Sequence, residues 1–401
     1  MRNSYLAGIL AALIVVLGVI QVVRPVGDPK LTADISSSGH ISGTPPSLPW
    51  PSGVQADVGA SSIGDLPQHG PTNAEPIGSM AKMMTAYLVL KAHPLSVGQN
   101  GPTLVVTPQD VSLYQQDAKT QQSVLPVVNG ERVSELTLLE GLLVPSGNNA
   151  ATMLAQWAGG SVAHFTAEMN AEAKALGMRH THFNGPVGLN AGTVSTAADQ
   201  ITLARLIMKN PVIRQIVAMP EMQVPGPTPV AYNYNYLIGH GGVIGVKTGS
   251  TIDSGGCVVL AKDQTVNGRT VTVFSSVLGQ PATSKNGQLW ASLDVANALL
   301  QAASKDIRTH TVMQTGETVG YLKAPWQSPV SLVTAKSIQI LGWSGLPYQV
   351  KLKAHLGNVH SLPAGTVVGT LTINTGSQHI TVPVKTATAL TPPSIAYRLT
   401  R

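Results

Sequence analysis

The N-terminal end of the chain carries the feature that most restricts how it can fold. Residues 6–20 are wholly apolar, and Val22 and Val23 extend this run past Gln21. As a helix, the run would span about 27 Å, close to the thickness of a bilayer core. A buried core helix fits poorly, because the segment is terminal and has no polar face. The pattern therefore predicts an N-terminal transmembrane helix, within an anchor at residues 1–27.

A cleaved signal peptide is the alternative for this segment. Its apolar region would be shorter, about 7–15 residues, and a site with small residues would follow it. Residues 24–27, which read RPVG, offer no good cleavage site, and this favours an uncleaved anchor. The orientation is less constrained, because Arg2 and the α-amine compete with Arg24 and Lys30 as the cytoplasmic positive charges.

Composition narrows the possible partners and the source of stability. Cys257 is the single cysteine, so no intrachain disulfide can form and the core alone must hold the fold. We interpret Cys257 as a small buried strand residue rather than a reactive thiol. Charged residues make up only 11% of the chain, and the net charge of +6 is not clustered. A nucleic-acid partner is therefore not expected.

The pattern of the chain changes along its length. Residues 28–52 are rich in Ser, Gly and Pro, which is typical of a flexible linker. Apolar spacing predicts helices at residues 74–91, 134–144, 150–158, 171–176, 196–208 and 289–303, and β-branched runs predict strands at 243–246, 257–260 and 271–277. Beyond residue 306 only short strands are predicted, at 330–333, 348–352, 367–373 and 379–384. Residues 53–305 and 306–401 are therefore expected to be two domains, the second all-β.

The sequence Ser79-Met80-Ala81-Lys82 places a hydroxyl and an amine three residues apart at a predicted helix start. Positions i and i+3 share a helix face, so the Lys82 amine could reach the Ser79 oxygen. A neutral lysine there could take the proton of the serine and make it a nucleophile. The alternative is that Ser79 caps the helix and Lys82 is solvated. Taken alone, this spacing is too common to decide between the two.

Two further short segments contain residues that could belong to a functional site. Ser146-Gly147-Asn148 lies in a link between predicted helices, where Ser and Asn are also ordinary turn residues. Lys247-Thr248-Gly249 ends a strand-like run, where a lone lysine is usually a solvated edge charge. Gly249 has no side chain, so a ligand backbone could approach it closely.

The three segments in this order form the signature of serine penicillin-recognising enzymes. The chain closely resembles the low-molecular-mass penicillin-binding proteins that act as D-alanyl-D-alanine carboxypeptidases. The resemblance covers about residues 53–304 and continues, more weakly, into the C-terminal β domain. It rests on EPIGSMAKMMTAYLVL from Glu75, GLLVPSGNNAATMLA from Gly141, HFTAEMNAEAKALGMRHTHFNGPVGLN from His164, VSTAAD from Val194 and NYNYLIGHGGVIGVKTGSTIDSGGCVVL from Asn233. Gly78, Ala81 and Asn149 depart from the residues common in the family, but none of them removes a catalytic group.

The resemblance implies an α+β fold, in which an antiparallel sheet is flanked by helices and joined by a helical subdomain. It also implies that Ser79 attacks the carbonyl between two D-alanines, with Lys82 as the base and Ser146 relaying a proton to the departing D-alanine. Asn148 would hold Lys82 and the substrate amide, and the remaining substrate-binding residues would be Lys247, Thr248, Gly249 and Ser250. The backbone N–H groups of Ser79 and Ser250 would form the oxyanion hole.

The implied partners are the D-Ala-D-Ala end of the peptidoglycan stem peptide, β-lactams as covalent inhibitors, and the cytoplasmic membrane. The catalytic domain would lie on the extracytoplasmic side, or be secreted if the N-terminal segment is cleaved. Neither a cofactor nor a metal is expected: the sequence has no H-E-x-x-H, and His180-Thr181-His182 is its only close histidine pair. Endopeptidase, transpeptidase or β-lactamase activity would use the same residues, and a membrane-tethered penicillin-binding scaffold with little turnover is a further alternative.

Overall fold

A computed structural model describes residues 2–224, 229–357 and 359–401 of the chain. Its contacts divide the chain into two compact units. One unit combines Met1–Pro45 with Arg308–Arg401, and the other is Pro46–Ile307. The first unit is therefore built from both ends of the chain, and the second from the uninterrupted middle.

The described residues form ten helices and 20 strands, numbered here in chain order. The helices are α1 Arg2–Val23, α2 Lys82–Ala92, α3 Pro108–Lys119, α4 Glu135–Leu143, α5 Asn148–Gly159, α6 Val162–Ala175, α7 Ala197–Ile207, α8 Pro211–Val217, α9 Gln288–Asp306 and α10 Ile395–Thr400. The strands are β1 Lys30–Ala33, β2 Ser38–His40, β3 Gln55–Ala60, β4 Gly64–Asp65, β5 Glu75–Pro76, β6 Thr103–Val105, β7 Arg132–Ser134, β8 Val194–Ser195, β9 Glu221–Gln223, β10 Val230–Tyr232, β11 Val243–Thr251, β12 Gly255–Val266, β13 Arg269–Gln280, β14 Arg308–Met313, β15 Thr318–Ala324, β16 Gln327–Thr334, β17 Ile338–Gly342, β18 Pro347–Ala354, β19 Val367–Thr375 and β20 Gln378–Thr386.

The middle unit contains a five-stranded antiparallel sheet in the order β11-β12-β13-β3-β4. Strands β12 and β13 form a hairpin whose turn residues, Asn267 and Gly268, both have positive φ. Asn-Gly is the favoured pair for such a turn, because its twist matches that of the strands. Helix α9 packs on β12 and β13, with Ala296, Leu299 and Ala303 buried at three- and four-residue spacing.

Helix α2 lies at the centre of the helical part of this unit and contacts α4, α5, α6 and α7. It is buried along most of its length, including Met83, Met84 and Leu88, because other helices cover more than one of its faces. The predicted helix at residues 74–91 therefore exists, but its start differs. Strand β5 and a 3-10 turn, Gly78–Ala81, precede Lys82. The structure thus confirms the expected α+β fold, with an antiparallel sheet flanked by helices.

The other unit contains a seven-stranded sheet in the order β1-β15-β16-β20-β19-β18-β2. Its buried side chains alternate along the strands, as in Leu371 and Ile373 of β19. A second pair, β14 with β17, adds Ile338 and Ile340 to the buried set. The strands predicted beyond residue 306 all lie within observed strands, but helix α10 also lies in this part of the chain, which the sequence predicts to be all-β.

The segment expected to be a flexible linker, residues 28–52, is partly ordered. Strand β1 pairs with β15, and β2 pairs with β18, so both join edges of the seven-stranded sheet. An added Cβ at Gly39 would lie 2.5 Å from the ring of Tyr348, so this ring packs closely over the strand. Edge pairing uses backbone N–H and C=O groups, which explains why side-chain composition did not reveal it. The domain boundaries themselves stay a prediction.

Helix α1 includes the apolar N-terminal run. Within the described part of the chain, Tyr5–Val23 is the one helical stretch long and apolar enough to cross a membrane, and none of it is buried. Its position near the N-terminus is also where a signal sequence would lie. Because α1 contains the apolar run, the N-terminal helix of the expected fold is present.

Candidate active site

Ser79 and Lys82 lie at the junction between the 3-10 turn and α2. The turn places Ser79 one turn before Lys82, and the Lys82 Nζ donates a hydrogen bond to the Ser79 Oγ at 2.8 Å. Neither the turn nor α2 has a side-chain cap at its N-terminus. The geometry therefore pairs the amine with the hydroxyl, and Ser79 does not act as a helix cap.

Lys82 is completely buried and has two further acceptors. Its Nζ donates to the Asn148 Oδ1 at 2.7 Å and to the Val187 backbone oxygen at 3.3 Å. Burial lowers the pKa of Lys82 well below its usual value, and the charge of Lys247 lowers it further, while Asp117 acts in the opposite direction. Desolvation favours the uncharged form of an amine, so this site favours a neutral Lys82.

The second predicted segment connects α4 to α5. Ser146 adopts a φ of +62°, a conformation that non-glycine residues rarely adopt. Its Oγ is buried and has no hydrogen-bond partner among the residues that the structure describes. At Gly147 an added Cβ would lie 2.9 Å from the Gly141 oxygen, so the link must be tight. Asn148 then begins α5, from which its side chain reaches Lys82.

The third predicted segment lies on β11, at the edge of the five-stranded sheet. An added Cβ at Gly249 would lie 2.5 Å from the Ile77 oxygen and 3.0 Å from the Ser79 nitrogen. The backbone of β11 therefore runs directly beside the turn that carries Ser79, and only glycine permits this approach.

Lys247 is buried, which differs from the solvated edge charge that a lone lysine on such a strand would suggest. Its Nζ donates to the Thr248 backbone oxygen at 3.0 Å. Burial lowers the pKa of Lys247 to about 7. A cation held in this way lacks full compensation, so it is a favourable place for an anion to bind.

A cleft of about 170 Å³ brings together residues from all three segments. Its lining residues are Ser79, Ser123, Ser146, Tyr234, Thr248, Gly249, Ser250 and Leu289. Lys82, Asn148 and Lys247 do not line the cleft. Instead, Lys82 contacts the cleft residue Ser79 directly, Asn148 contacts Lys82, and Lys247 acts on Lys82 through its charge.

Several residues at this site were not singled out from the sequence. Gln122 accepts a hydrogen bond from the Asn148 Nδ2 at 2.6 Å. The Ser123 Oγ donates to the Tyr234 hydroxyl at 3.1 Å. Gln288, the first residue of α9, donates from its Nε2 to the Ser250 Oγ at 2.8 Å and to the Thr251 oxygen. These residues form no local motif, so only the folded chain identifies them.

Cys257 lies on β12, close to the site but directed into the protein. It is fully buried, and its Sγ donates to the Ser254 backbone oxygen at 3.3 Å. Burial raises the pKa of the thiol to about 12, which leaves it protonated at neutral pH. The interpretation of Cys257 as a buried strand residue is confirmed.

Comparison with known proteins agrees with this geometry. A family model described as D-alanyl-D-alanine carboxypeptidase matches residues 66–281, more than half of the chain. The chain is 28% identical over 307 residues to D-alanyl-D-alanine carboxypeptidase DacF of Bacillus subtilis, an alignment that covers 74% of each protein. It is 33% identical over 202 residues to a D-alanyl-D-alanine endopeptidase of Pseudomonas aeruginosa, covering 49% of this chain and 62% of that one.

Solved structures give the same fold. Penicillin binding protein 5 from Haemophilus influenzae superposes with a TM-score of 0.60 at 20% identity, covering 86% of this chain and 99% of the other. The fold, the cleft shared by three segments and the family match lead to one conclusion. The chain belongs to the D-alanyl-D-alanine carboxypeptidase family of serine peptidases.

Proposed function

We propose that this carboxypeptidase removes the terminal D-alanine of peptidoglycan stem peptides by using Ser79, Lys82 and Ser146 as its catalytic residues. The observation that carries the proposal is the 2.8 Å contact between the Lys82 Nζ and the Ser79 Oγ at the edge of the shared cleft. A nucleophile and a base within hydrogen-bond distance are the requirement for covalent catalysis by serine.

Lys82 is arranged to act as a general base. A neutral amine has two N–H donors and one lone pair. The ammonium form donates to Ser79, Asn148 and Val187. In the neutral form the two remaining N–H groups can stay on Asn148 and Val187, so the lone pair is left to accept the hydroxyl proton of Ser79. The Ser79 Oγ then bonds to the carbonyl carbon between the two D-alanines, and its proton passes to Lys82.

The oxyanion of the tetrahedral intermediate would be stabilised by the backbone N–H groups of Ser79 and Ser250. At Gly249, β11 approaches the turn that carries Ser79, and this contact holds the backbone of Ser250 beside that of Ser79. Gln288 also holds Ser250 through its side chain. Loss of one such donor costs about 10²–10³ in rate, so this rigid packing has a direct catalytic value.

Ser146 would complete acylation. When the C–N bond breaks, the nitrogen of the departing D-alanine needs a proton. Lys82 carries one, because it has just taken the proton of Ser79. The Ser146 Oγ lines the cleft and is unpartnered within the described structure, so it is available to pass that proton on. Water then attacks the acyl-enzyme, the ester bond to Ser79 breaks, and the serine regains its proton.

Lys247 and Thr248 would bind the carboxylate at the end of the substrate. Lys247 is a buried cation whose pKa is lowered by burial, and an anion nearby would restore its charge. Thr248 and Gly249 line the cleft beside it, and Asn148 and Ser250 would contact the substrate backbone. Such a carboxylate site would select substrates with a free C-terminus.

β-lactams would react by the same route. Ser79 opens the ring amide, but the amine formed stays attached to the acyl group and does not leave. The product is a covalent penicilloyl-enzyme. Endopeptidase activity is the second candidate function, favoured by the similarity to the Pseudomonas aeruginosa endopeptidase, and it would cleave a D-Ala bond within a cross-link using the same residues.

We further propose that α1 anchors the chain in the cytoplasmic membrane, with the catalytic unit on the extracytoplasmic side. The exposed apolar stretch Tyr5–Val23 supports an anchor. The proposed peptidoglycan substrate lies on the outer side of the cytoplasmic membrane, which supports the orientation. The proposed division is an anchor at residues 1–27, a catalytic domain at 53–305 and a β domain at 306–401, joined by a segment at 28–52.

The test of the proposed function uses Ser79→Ala. We expect this variant to lose both covalent labelling by a fluorescent penicillin and D-alanine release from a purified muropeptide pentapeptide. The matched control is Ser284→Ala, because Ser284 is an exposed loop residue of the same unit and should leave both activities unchanged. Mass spectrometry locates the acyl group. Labelling retained in Ser79→Ala, or an acyl group on another residue, would show that the nucleophile lies elsewhere.

A further inference from the structure

A row of hydrogen bonds runs from the paired amine and hydroxyl toward the surface. The Lys82 Nζ donates to the Asn148 Oδ1 at 2.7 Å, and the Asn148 Nδ2 donates to the Gln122 Oε1 at 2.6 Å. The Gln122 Nε2 then donates to the Thr120 Oγ1 at 2.9 Å. Lys82 and Asn148 are buried, whereas Gln122 is half-buried. The row therefore connects the interior of the site with its outer edge.

The direction of each bond fixes the direction of the next. The N–H groups of Lys82 need an oxygen, so the amide oxygen of Asn148 faces the amine and its nitrogen faces Gln122. Gln122 must then present its oxygen to Asn148. If the Asn148 amide turned over, its NH₂ would face Lys82 and its oxygen would face the oxygen of Gln122. The Thr120 hydroxyl donates to the Asp117 backbone oxygen at 3.0 Å, so toward Gln122 it acts as an acceptor and holds the Gln122 NH₂ on its side. Gln122 therefore keeps its oxygen toward Asn148 and disfavours the reversed amide.

We propose that Gln122 is a positioning residue for the acylation reaction, which holds the Asn148 amide with its oxygen toward Lys82. This inference rests on the proposed function, in which Lys82 is the base for Ser79. With the amide fixed, the N–H groups of Lys82 have their acceptors and the lone pair is directed at the serine. A reversed amide would turn N–H groups toward the amine and compete with Ser79 for that lone pair.

The backbone around Gln122 does not depend on its side chain. The Asn148 backbone nitrogen donates to the Ser123 oxygen at 2.8 Å. Asn149 makes two more bonds, accepting from the Leu125 nitrogen at 2.9 Å and donating to the Leu125 oxygen at 2.7 Å. These three bonds attach residues 123–125 to the start of α5. A change of the Gln122 side chain should therefore remove the amide contact and leave the segment in place.

The experiment compares Gln122→Met with Gln121→Met in the full chain. Methionine keeps the length of the side chain but replaces the amide. Gln121 is the adjacent, exposed residue, so the same substitution there is a matched control. The measured quantity is the rate constant for acylation of Ser79 by a fluorescent penicillin, with the thermal midpoint as a check on folding. We expect an about tenfold slower acylation in Gln122→Met, as for loss of one buried hydrogen-bond partner, and an unchanged rate in Gln121→Met.

A second variant, Gln122→Glu, separates positioning from a general structural effect. A carboxylate oxygen can still accept from the Asn148 Nδ2, so the rate at high pH should recover toward that of the native protein. The charged groups that act on Lys82 are Lys247 and Asp117, and the new carboxylate would add to the effect of Asp117. It favours the ammonium form of Lys82, so the rise of acylation rate with pH should move to higher pH.

Three outcomes would overturn the inference. Gln122→Met could acylate as fast as Gln121→Met, or Gln122→Glu could be as slow as Gln122→Met at every pH. Alternatively, the pH profile of Gln122→Glu could remain in the native position. Failure of the proposed function is distinguishable, because the native protein itself would then carry no acyl group on Ser79, and Gln122 would have no reaction to position.

Discussion

Replacement of Gly249 by alanine tests the close approach of β11 to the turn that carries Ser79. The added Cβ would lie 2.5 Å from the Ile77 oxygen, 3.0 Å from the Ser79 nitrogen and 3.1 Å from the Met80 nitrogen. All three are backbone atoms, so no side chain can move aside. To restore an ordinary contact of about 3.4 Å, the strand and the turn must separate by about 0.9 Å.

This separation would widen the proposed oxyanion hole between Ser79 and Ser250. A misplacement of about 1 Å costs about 10²-fold in rate, which agrees with the cost of weakening one oxyanion donor. We therefore expect Gly249→Ala to slow acylation about 100-fold. Overpacking of this kind also destabilises a protein by about 1–3 kcal/mol, so the variant should unfold at a lower temperature while remaining folded at 25 °C.

The assay measures the rate constant for acylation by a fluorescent penicillin and the release of D-alanine from a pentapeptide. Thermal unfolding followed by circular dichroism shows whether the variant is folded at the assay temperature. Gly357→Ala is the matched control, because a Cβ at Gly357 would meet nothing within 4 Å. If a folded Gly249→Ala protein acylated within about twofold of the native rate, the reasoning from this contact to the oxyanion hole would be refuted.

Two other substitutions test the buried charges. Lys82→Arg keeps the N–H donors but cannot give up a proton, because the guanidinium pKa exceeds about 12. Acylation measured with penicillin should fall by several orders of magnitude, as it should for Lys82→Ala, and an arginine variant that kept more than about 1% of the rate would contradict the role of Lys82 as base. Asp57 is buried on β3, and desolvation first, then the charge of Asp65, raises its pKa from 3.8 to about 8, while Arg205 acts in the opposite direction. The folded state therefore binds a proton that the unfolded state loses over this pH range, so the free energy of unfolding falls as pH rises. Because asparagine mimics the protonated acid, the melting temperature of Asp57→Asn relative to the native protein should increase between about pH 5 and pH 8, and a constant difference would show that Asp57 is ionised throughout.

Part of the fold could be predicted because it depends on local patterns. The runs of β-branched residues located β11, β12 and β13, and the apolar spacing located α4, α5 and α9. The start of α2 was placed too early, because β5 and a 3-10 turn precede it. Strands β1 and β2 were missed because their pairing depends on free edges of a sheet formed far along the chain.

The active site also contains residues that local sequence patterns predict and residues that only distant contacts reveal. The order and spacing of Ser79, Lys82, Ser146 and Asn148 indicated the chemistry, since these residue types have few other reasons to recur together. Gln122 and Gln288 gave no such signal, because glutamine is common on surfaces and forms no motif with its neighbours here. Their contribution depends on a precise hydrogen-bond partner that is distant in sequence.

The sequence by itself determined which hydroxyl and amine groups the proposed reaction can use, and that residues 6–23 contain a long apolar run. The tertiary structure decided the pKa values and the hydrogen-bond partners of these groups. It buries Lys82 and Lys247, which lowers the pKa of both amines, and it brings Asn148, 66 residues away in sequence, to 2.7 Å from Lys82. Desolvation and hydrogen-bond geometry arise only when distant segments pack together, so neither can be read from local order.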